Sequence, residues 1–328
     1  MPYDIIIGRD KADKKRFANQ GIIYLGKGYV TMGNYTSLSN YIYMDVARSH
    51  VVLVAGKRGS GKSYTLGVIA EELSSLSSEI SNNIASLIFD TMGIFWTMKF
   101  KNEKEEMLLR EWDLKTKNVP VKIFVPFGKI EEYREKSIPV DKTFALKASE
   151  LEAEDWILTF NLNMTSQEGV LISKLITELK EKFDSFSIED IQKAIYEQRN
   201  ISQETKNIAS ALFYAADSWG IFARGKEMGT EISELIEAGK TSVIDLSVYS
   251  STSAYNVRAL VIGLISSKLF KQRLEARKKE EIEAIQHGLD YLTYKTKRET
   301  PLIWLFIDEA HEFLPREGKT PATDALTQ

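Results

Sequence analysis

Apolar residues occur along the chain in two kinds of run, and the two kinds alternate. Short β-branched runs that end at turn or acidic residues predict strands: YDIII, SHVVLVAG, ASLIFD, VKIFVPF, TSVIDLS and PLIWLFIDE. Most show no alternation with polar residues, which is typical of strands buried on both faces. Apolar residues at helical spacing fill the stretches between them, as in SYTLGVIAEELSSL and SQEGVLISKLITELKEKF. The pattern predicts an α/β protein with a mostly parallel sheet.

The same pattern divides the chain into four segments. Residues 1–48 predict a short β-rich segment, with strands around glycines in GIIYLGKGYVTMGNYTS. Residues 49–144 and 236–328 carry the other strand runs and predict two parts of one core. Residues 145–235 show helical periodicity with few strand signals, so we expect a helical insertion there.

Composition agrees with a folded, soluble protein. The chain has 328 residues, of which 43% are hydrophobic, enough for a sizeable core. No apolar run approaches the roughly 18 to 20 uncharged residues that span a bilayer. The first residues, MPYDIIIGRDKADKKRF, lack the order of a signal peptide. We therefore expect a cytoplasmic protein without a membrane partner.

Residue counts exclude several kinds of chemistry. Cysteine is absent, which excludes disulfides, thiolate nucleophiles, iron–sulfur clusters and cysteine-bound zinc. Three scattered histidines, His50, His287 and His311, are a poor basis for a zinc site. The formal net charge of -3 gives no overall attraction to nucleic acid, although positive charge confined to a pore or one face could still bind it.

A glycine-rich turn between the second strand run and the first long helix carries the clearest motif. It fits G-x-x-x-x-G-K-[ST] at Gly56, Lys57, Arg58, Gly59, Ser60, Gly61, Lys62 and Ser63. Such a loop wraps backbone N–H groups around phosphates at a helix N-terminus. Lys62 would then reach the β- and γ-phosphates, Ser63 would ligate Mg²⁺, and Tyr64 completes the expected nucleotide-binding set. The motif predicts ATP and Mg²⁺ as cofactors.

A hydrolytic P-loop also needs an acidic residue at the end of another strand. The candidates are Asp90, Asp245 and Asp308, because the carboxyl ends of parallel strands gather at one edge. Asp308 is followed directly by Glu309, so Asp308 can orient the metal while Glu309 acts as general base. A buried strand that runs into an acidic helix start is the alternative. We interpret Asp90 and Asp245 as turn or helix caps, although Asp90 could lie close to the nucleotide.

Four segments together resemble a known family. SHVVLVAGKRGSGKSYTLGVIAEEL, SLIFDTMGIFWTM, SVIDLS before a helix, and LFIDEAHEFLP are similar in order and spacing to the HerA-like ATPases. These belong to the HerA and FtsK branch of P-loop motors. The similarity runs from about residue 40 to the end of the chain.

The resemblance implies a RecA-like core in a homohexameric ring that hydrolyses ATP to translocate along or unwind duplex DNA. Such proteins often work with a nuclease or another effector, in DNA end processing or in defence against phage. Lys62 and Ser63 fall on the family's phosphate and magnesium positions, and Asp308 and Glu309 on its acidic pair. His311 falls in the DEAH-like tail of that motif.

Two departures from the family pattern are visible. The 48 residues before the core are too few for the family's full β-barrel. The arginine-bearing segment and the strand with a γ-phosphate sensor, which follow the acidic pair in the family, are expected beyond Gln328, so the chain resembles a motor core truncated after that pair. Arg258 is a candidate interface arginine, with a solvated helix arginine as the favoured alternative.

Basic clusters at residues 11–17, 271–279 and 294–299 are candidates for sequence-independent DNA contact. The middle cluster also fits a charged helix face, because acidic residues follow it at once.

The leading hypothesis is therefore an ATP-driven motor on double-stranded DNA, with Lys62 and Glu309 as catalytic residues. The alternative is a nucleotide-controlled hexameric scaffold that assembles and regulates an effector protein, with little movement on DNA. A small-molecule kinase is disfavoured, since it seldom needs a water-activating glutamate.

Overall fold

Two separate sheets organise the part of the protein that the structure describes. The computed structural model describes residues 3–33, 35–225, 229–249, 255–287 and 300–327. The strands in these ranges are β1 (Ile5–Ile7), β2 (Ile22–Met32), β3 (Tyr35–Asp45), β4 (Ile84–Asp90), β5 (Val121–Pro126), β6 (Lys142–Phe144), β7 (Thr241–Asp245) and β8 (Leu302–Ile307).

The larger sheet has the order β6-β5-β7-β4-β8, and all its strands are parallel. The central strands β4 and β7 are buried along their whole length, as their uninterrupted apolar sequences predict. The expected α/β fold class with a mostly parallel sheet is confirmed. The carboxyl ends of β7, β4 and β8 lie side by side and carry Asp245, Asp90 and Asp308.

Helices connect and cover these strands. Those in the described ranges are α1 (Lys11–Phe17), α2 (Lys62–Ser74), α3 (Ser78–Ser81), α4 (Glu106–Glu111), α5 (Ile130–Glu135), α6 (Ala153–Thr159), α7 (Gln167–Lys182), α8 (Ile188–Glu197), α9 (Gln203–Ser218), α10 (Ile232–Leu235), α11 (Tyr255–His287) and α12 (Thr323–Thr327). None of these helices combines the length and the apolar character that crossing a membrane requires.

The core lies on both faces of the parallel sheet. Alternate residues of β4 enter different apolar clusters, with Phe89 in one and Ile88 in the other. The Phe89 cluster also holds buried side chains of α6 to α9, such as Trp156 and Phe213, and the first part of α11. The Ile88 cluster holds the inner face of α2, including Ile69. Helices α6 to α10 occupy the predicted insertion at 145–235, and its division from the core stays a prediction.

The smaller sheet contains the N-terminal strands in the order β1-β3-β2. β2 and β3 pair antiparallel in a long ribbon, and β1 runs parallel to β3. The predicted β-rich N-terminal segment is therefore confirmed. Met44 of β3 packs into the same cluster as Ile69 of α2, which fixes the ribbon against the helix beside the larger sheet.

The strand that we predicted from SHVVLVAG is not present. Residues 49–56 have no strand assignment, and Leu53 is 85% exposed. The apolar run predicted burial, but a strand also requires a hydrogen-bonding neighbour. Within the described ranges, β8 pairs with β4 along one edge only, and no strand lies along its other edge. Residues 49–56 therefore lead into the glycine-rich turn without hydrogen bonds to a neighbouring strand.

Candidate nucleotide site

The glycine-rich turn leads directly into α2. Gly61 is the N-cap of this helix with φ 87°, and Gly59 has φ 75°. Both values lie in the left-handed region that side chains with a Cβ rarely adopt. The space around a Cβ at either position is open, so conformation rather than packing requires glycine here. The turn therefore presents the N-terminus of a 13-residue helix to solvent.

Side chains of the turn are mostly exposed, as expected for a loop that surrounds a ligand. Lys57 and Arg58 are exposed, and Tyr64 is 60% exposed. The Lys62 amine donates a long hydrogen bond, 3.4 Å, to the carbonyl oxygen of Lys57 and so bridges the turn. This contact is weak enough for a phosphate oxygen to replace.

One contact joins the start of α2 to the end of β8. The Ser63 hydroxyl donates a hydrogen bond to Asp308 Oδ1 over 3.0 Å. Asp308 Oδ1 also accepts the Glu309 N–H at 3.1 Å. The two sequence motifs therefore meet in space, although the chain between them forms most of the sheet.

Asp308 is 2% exposed, and its Oδ2 atom has no hydrogen-bond partner in the described ranges. Burial raises the pKa of this carboxyl, while the Ser63 hydrogen bond opposes the increase. A buried, unpaired carboxylate oxygen beside a serine hydroxyl suits a hydrated cation. No group of three or more His, Cys, Asp or Glu in the described residues could hold a metal by itself. A Mg²⁺ here would take its remaining ligands from phosphates and water, its usual arrangement in ATPases.

Glu309 follows in a left-handed backbone conformation, with φ 51° and ψ 43°. It is the N-cap of the short turn Ala310–Glu312. His311 Nδ1 lies 3.2 Å from Glu309 Oε2, and the imidazole is largely exposed. The sequence does not predict this left-handed conformation, because glutamate is not a residue type that favours it.

Asp90 and Asp245 cap turns, as we expected. Asp90 accepts backbone N–H groups of the loop that follows β4, at 2.7 Å from Gly93 and 2.8 Å from Phe95. Burial, and then the neighbouring charge of Asp245, raise the pKa of Asp90 to about 7. Asp245 accepts the Ser247 N–H at 2.9 Å and the Tyr133 hydroxyl at 3.1 Å.

The sequence leaves Arg258 two interpretations, an interface arginine or a solvated helix arginine. It is 5% exposed, so it is not solvated. Its guanidinium lies 2.8 Å from Glu312 Oε2 of the same chain, so it is already bound within the protein rather than to another subunit. The sequence carries no local signal for this pair, because its members lie on α11 and after β8. Helical spacing alone cannot reveal a contact between distant elements.

The basic clusters differ in their surroundings. Residues 11–17 form α1, whose Lys14 and Lys15 are exposed. In the cluster at 271–279, Arg273 pairs with Glu280 and Arg277 with Glu281, as on a charged helix face. The cluster at 294–299 lies outside the described residues.

A family model described as the central domain of the helicase HerA matches residues 26–269. The matched range includes the loop at 56–63 and ends before Asp308. No curated protein matches the chain.

The match covers well over half of the chain, and the parallel sheet with a glycine-rich turn before α2 agrees with it. The chain therefore belongs to the family of the HerA helicase central domain, the P-loop ATPases of the HerA and FtsK type.

Proposed function

We propose that the chain binds ATP with Mg²⁺ at residues 56–64 and hydrolyses it, and that a ring of copies, a homohexamer, uses this reaction to move along duplex DNA. A nuclease or defence effector protein is the proposed partner of the ring. The site residues, the ring, the DNA and the effector are all part of the proposal. Membership of the HerA family supports it.

The contact between Ser63 and Asp308 is the observation that carries the ATPase part. A hydrolytic P-loop holds Mg²⁺ between the serine at the start of its helix and an aspartate at the end of a sheet strand. Here these two side chains are 3.0 Å apart, and Asp308 retains a buried oxygen without a partner.

Each side chain has a separate role in the proposed reaction. Backbone N–H groups of the turn and the Lys62 amine bind the phosphates, where the positive end of α2 adds to the attraction. Ser63 and Asp308 would hold Mg²⁺, which would supply positive charge against the phosphates. Glu309, one residue further along the chain, accepts a proton from the attacking water.

Replacement of Glu309 tests this assignment. Glu309→Gln keeps the size of the side chain and removes the basic carboxylate, so we expect kcat for ATP hydrolysis to fall about 100-fold or more. The Kd for ATP, measured by titration calorimetry, should stay within about threefold of wild type. Unchanged turnover would show that Glu309 is not the general base.

DNA-stimulated hydrolysis tests the motor part. We expect duplex DNA to raise the ATPase rate at low salt and to lose this effect as salt increases. Equal rates with and without DNA, together with no DNA binding at low salt, would contradict the motor. That result would leave the nucleotide-controlled scaffold as the function.

A further inference from the structure

Arg258 is a cation inside the apolar core. It lies in the first turn of the described part of α11, and its neighbours Val257, Ala259 and Leu260 are fully buried. Taking a guanidinium out of water costs several kcal/mol unless a partner of opposite charge compensates. A residue of this kind requires a specific partner, and its presence suggests a role beyond packing.

Glu312 is one partner of Arg258. Arg258 Nη2 and Glu312 Oε2 are 2.8 Å apart, and both side chains are mostly buried. Glu312 Oε2 has no well-aligned hydrogen-bond donor among the described residues, so this contact is an ion pair rather than a directional hydrogen bond. At this depth a charge pair is screened far less than at the surface.

Glu312 ends the turn that Glu309 begins. The Glu312 N–H donates to the Glu309 carbonyl oxygen over 2.9 Å, and the Phe313 N–H donates to the Ala310 carbonyl oxygen over 3.0 Å. Glu309 itself has the left-handed backbone described above, which costs free energy for any residue with a Cβ. Fixed contacts on both sides must therefore hold the turn in shape.

Contacts of Phe313 and Glu312 fix its far side. Phe313 is fully buried in the core, and Glu312 is bound to Arg258. On its near side, Asp308 Oδ1 accepts the Glu309 N–H. The turn that carries the Glu309 carboxylate is thus joined to α11 by the ion pair of Arg258 with Glu312 and by the packing of Phe313.

We propose that Arg258 is a positioning residue: through Glu312 it holds the turn that carries Glu309 in the geometry needed for water activation. This inference rests on the proposed ATPase function. It also links the helix that follows β7 to the carboxylate that follows β8, so the orientation of α11 and the activity of the site become coupled.

Variants that neutralise or exchange the charges of Arg258 and Glu312 test the proposal in the full chain. We expect Arg258→Gln and Glu312→Gln each to lower kcat for ATP hydrolysis at least tenfold, with the Kd for ATP within threefold of wild type. The double variant Arg258→Glu with Glu312→Arg should recover most of the lost kcat. Lys268→Gln is the matched control: Lys268 lies on α11 like Arg258, and the variant breaks its 2.8 Å ion pair with Glu150, which is not part of the turn.

Amide hydrogen exchange gives a second readout that needs no turnover. The amides of residues 310–314 should exchange at least tenfold faster in Arg258→Gln and Glu312→Gln, but not in Lys268→Gln. If wild type hydrolyses no ATP, the proposed function fails, and faster exchange still supports the positioning contact. If kcat and exchange both stay within twofold of wild type in Glu312→Gln, the inference is wrong. It is also wrong if Lys268→Gln lowers kcat equally or if the exchanged pair restores nothing.

Discussion

Glu309 holds a backbone conformation that costs a residue with a Cβ about 1 kcal/mol. A glycine would adopt it freely but could not accept a proton from water. The turn thus keeps a strained residue where the proposed reaction needs a carboxylate, and nearby hydrogen bonds to Asp308 and from Phe313 compensate for the strain.

Carboxyl groups next to this turn should make stability depend on pH. Asp90 has its pKa raised to about 7 by burial and by Asp245. A carboxyl with a higher pKa in the folded state stabilises the protein below its unfolded pKa, and this contribution is lost as pH rises through the folded pKa. Asp245 and Asp308 are shifted in the same direction.

We therefore expect the free energy of unfolding to fall as the pH rises from about 5 to about 8, with Asp90 contributing about 2 kcal/mol of that fall. Asp90→Asn, which cannot ionise, should show a smaller decrease. Urea unfolding at several pH values measures both. Asp324→Asn is the control, because Asp324 is half exposed beside Lys319. An equal decrease in wild type and Asp90→Asn would rule out Asp90 as a cause.

At the scale of single elements, the sequence predicts which strands are buried. It does not predict whether an apolar run finds a neighbouring strand to pair with. The strands β4, β5 and β7 were predictable because their apolar runs lie inside the sheet. β6 has only three residues, too few for a pattern. The run at 49–56 is as apolar as β4, yet it has no strand neighbour. Motif spacing located Ser63 and Asp308 at the candidate site, but not the pair of Arg258 with Glu312, which depends on tertiary packing.

The exposed run gives a direct stability test. Leu53→Lys should change the free energy of unfolding by less than about 0.5 kcal/mol, because its side chain already faces water. Leu87→Ala in β4 is the matched comparison, and it should cost about 2 to 5 kcal/mol, since Leu87 is fully buried. Urea unfolding of both variants provides the values. A cost above about 2 kcal/mol for Leu53→Lys would mean that the segment is packed as a strand.

For the whole molecule, a net charge of -3 requires that any DNA contact be local. Helix α1 is the best described candidate, because Lys14 and Lys15 are exposed and have no ion pair among the residues that the structure describes. Phosphate contacts by these two residues would contribute to affinity without regard to sequence.

Charge reversal on α1 tests this location. The double variant Lys14→Glu with Lys15→Glu should weaken duplex DNA binding about tenfold or more and reduce the slope of log affinity against log salt by about 2. Fluorescence anisotropy at several salt concentrations measures both quantities. Lys271→Glu with Lys278→Glu on α11 changes the net charge equally and should leave binding nearly unchanged. If the α11 variant loses as much affinity as the α1 variant, α1 is not the contact.

Helix α11 has 33 residues and is about 50 Å long. Its first turns are buried around Arg258, while its second half carries exposed charge. A tilt of ~5° at the buried end would move the far end by ~4 Å. A small rearrangement at the buried start of this helix would thus be enlarged into a movement of several ångströms at its exposed end.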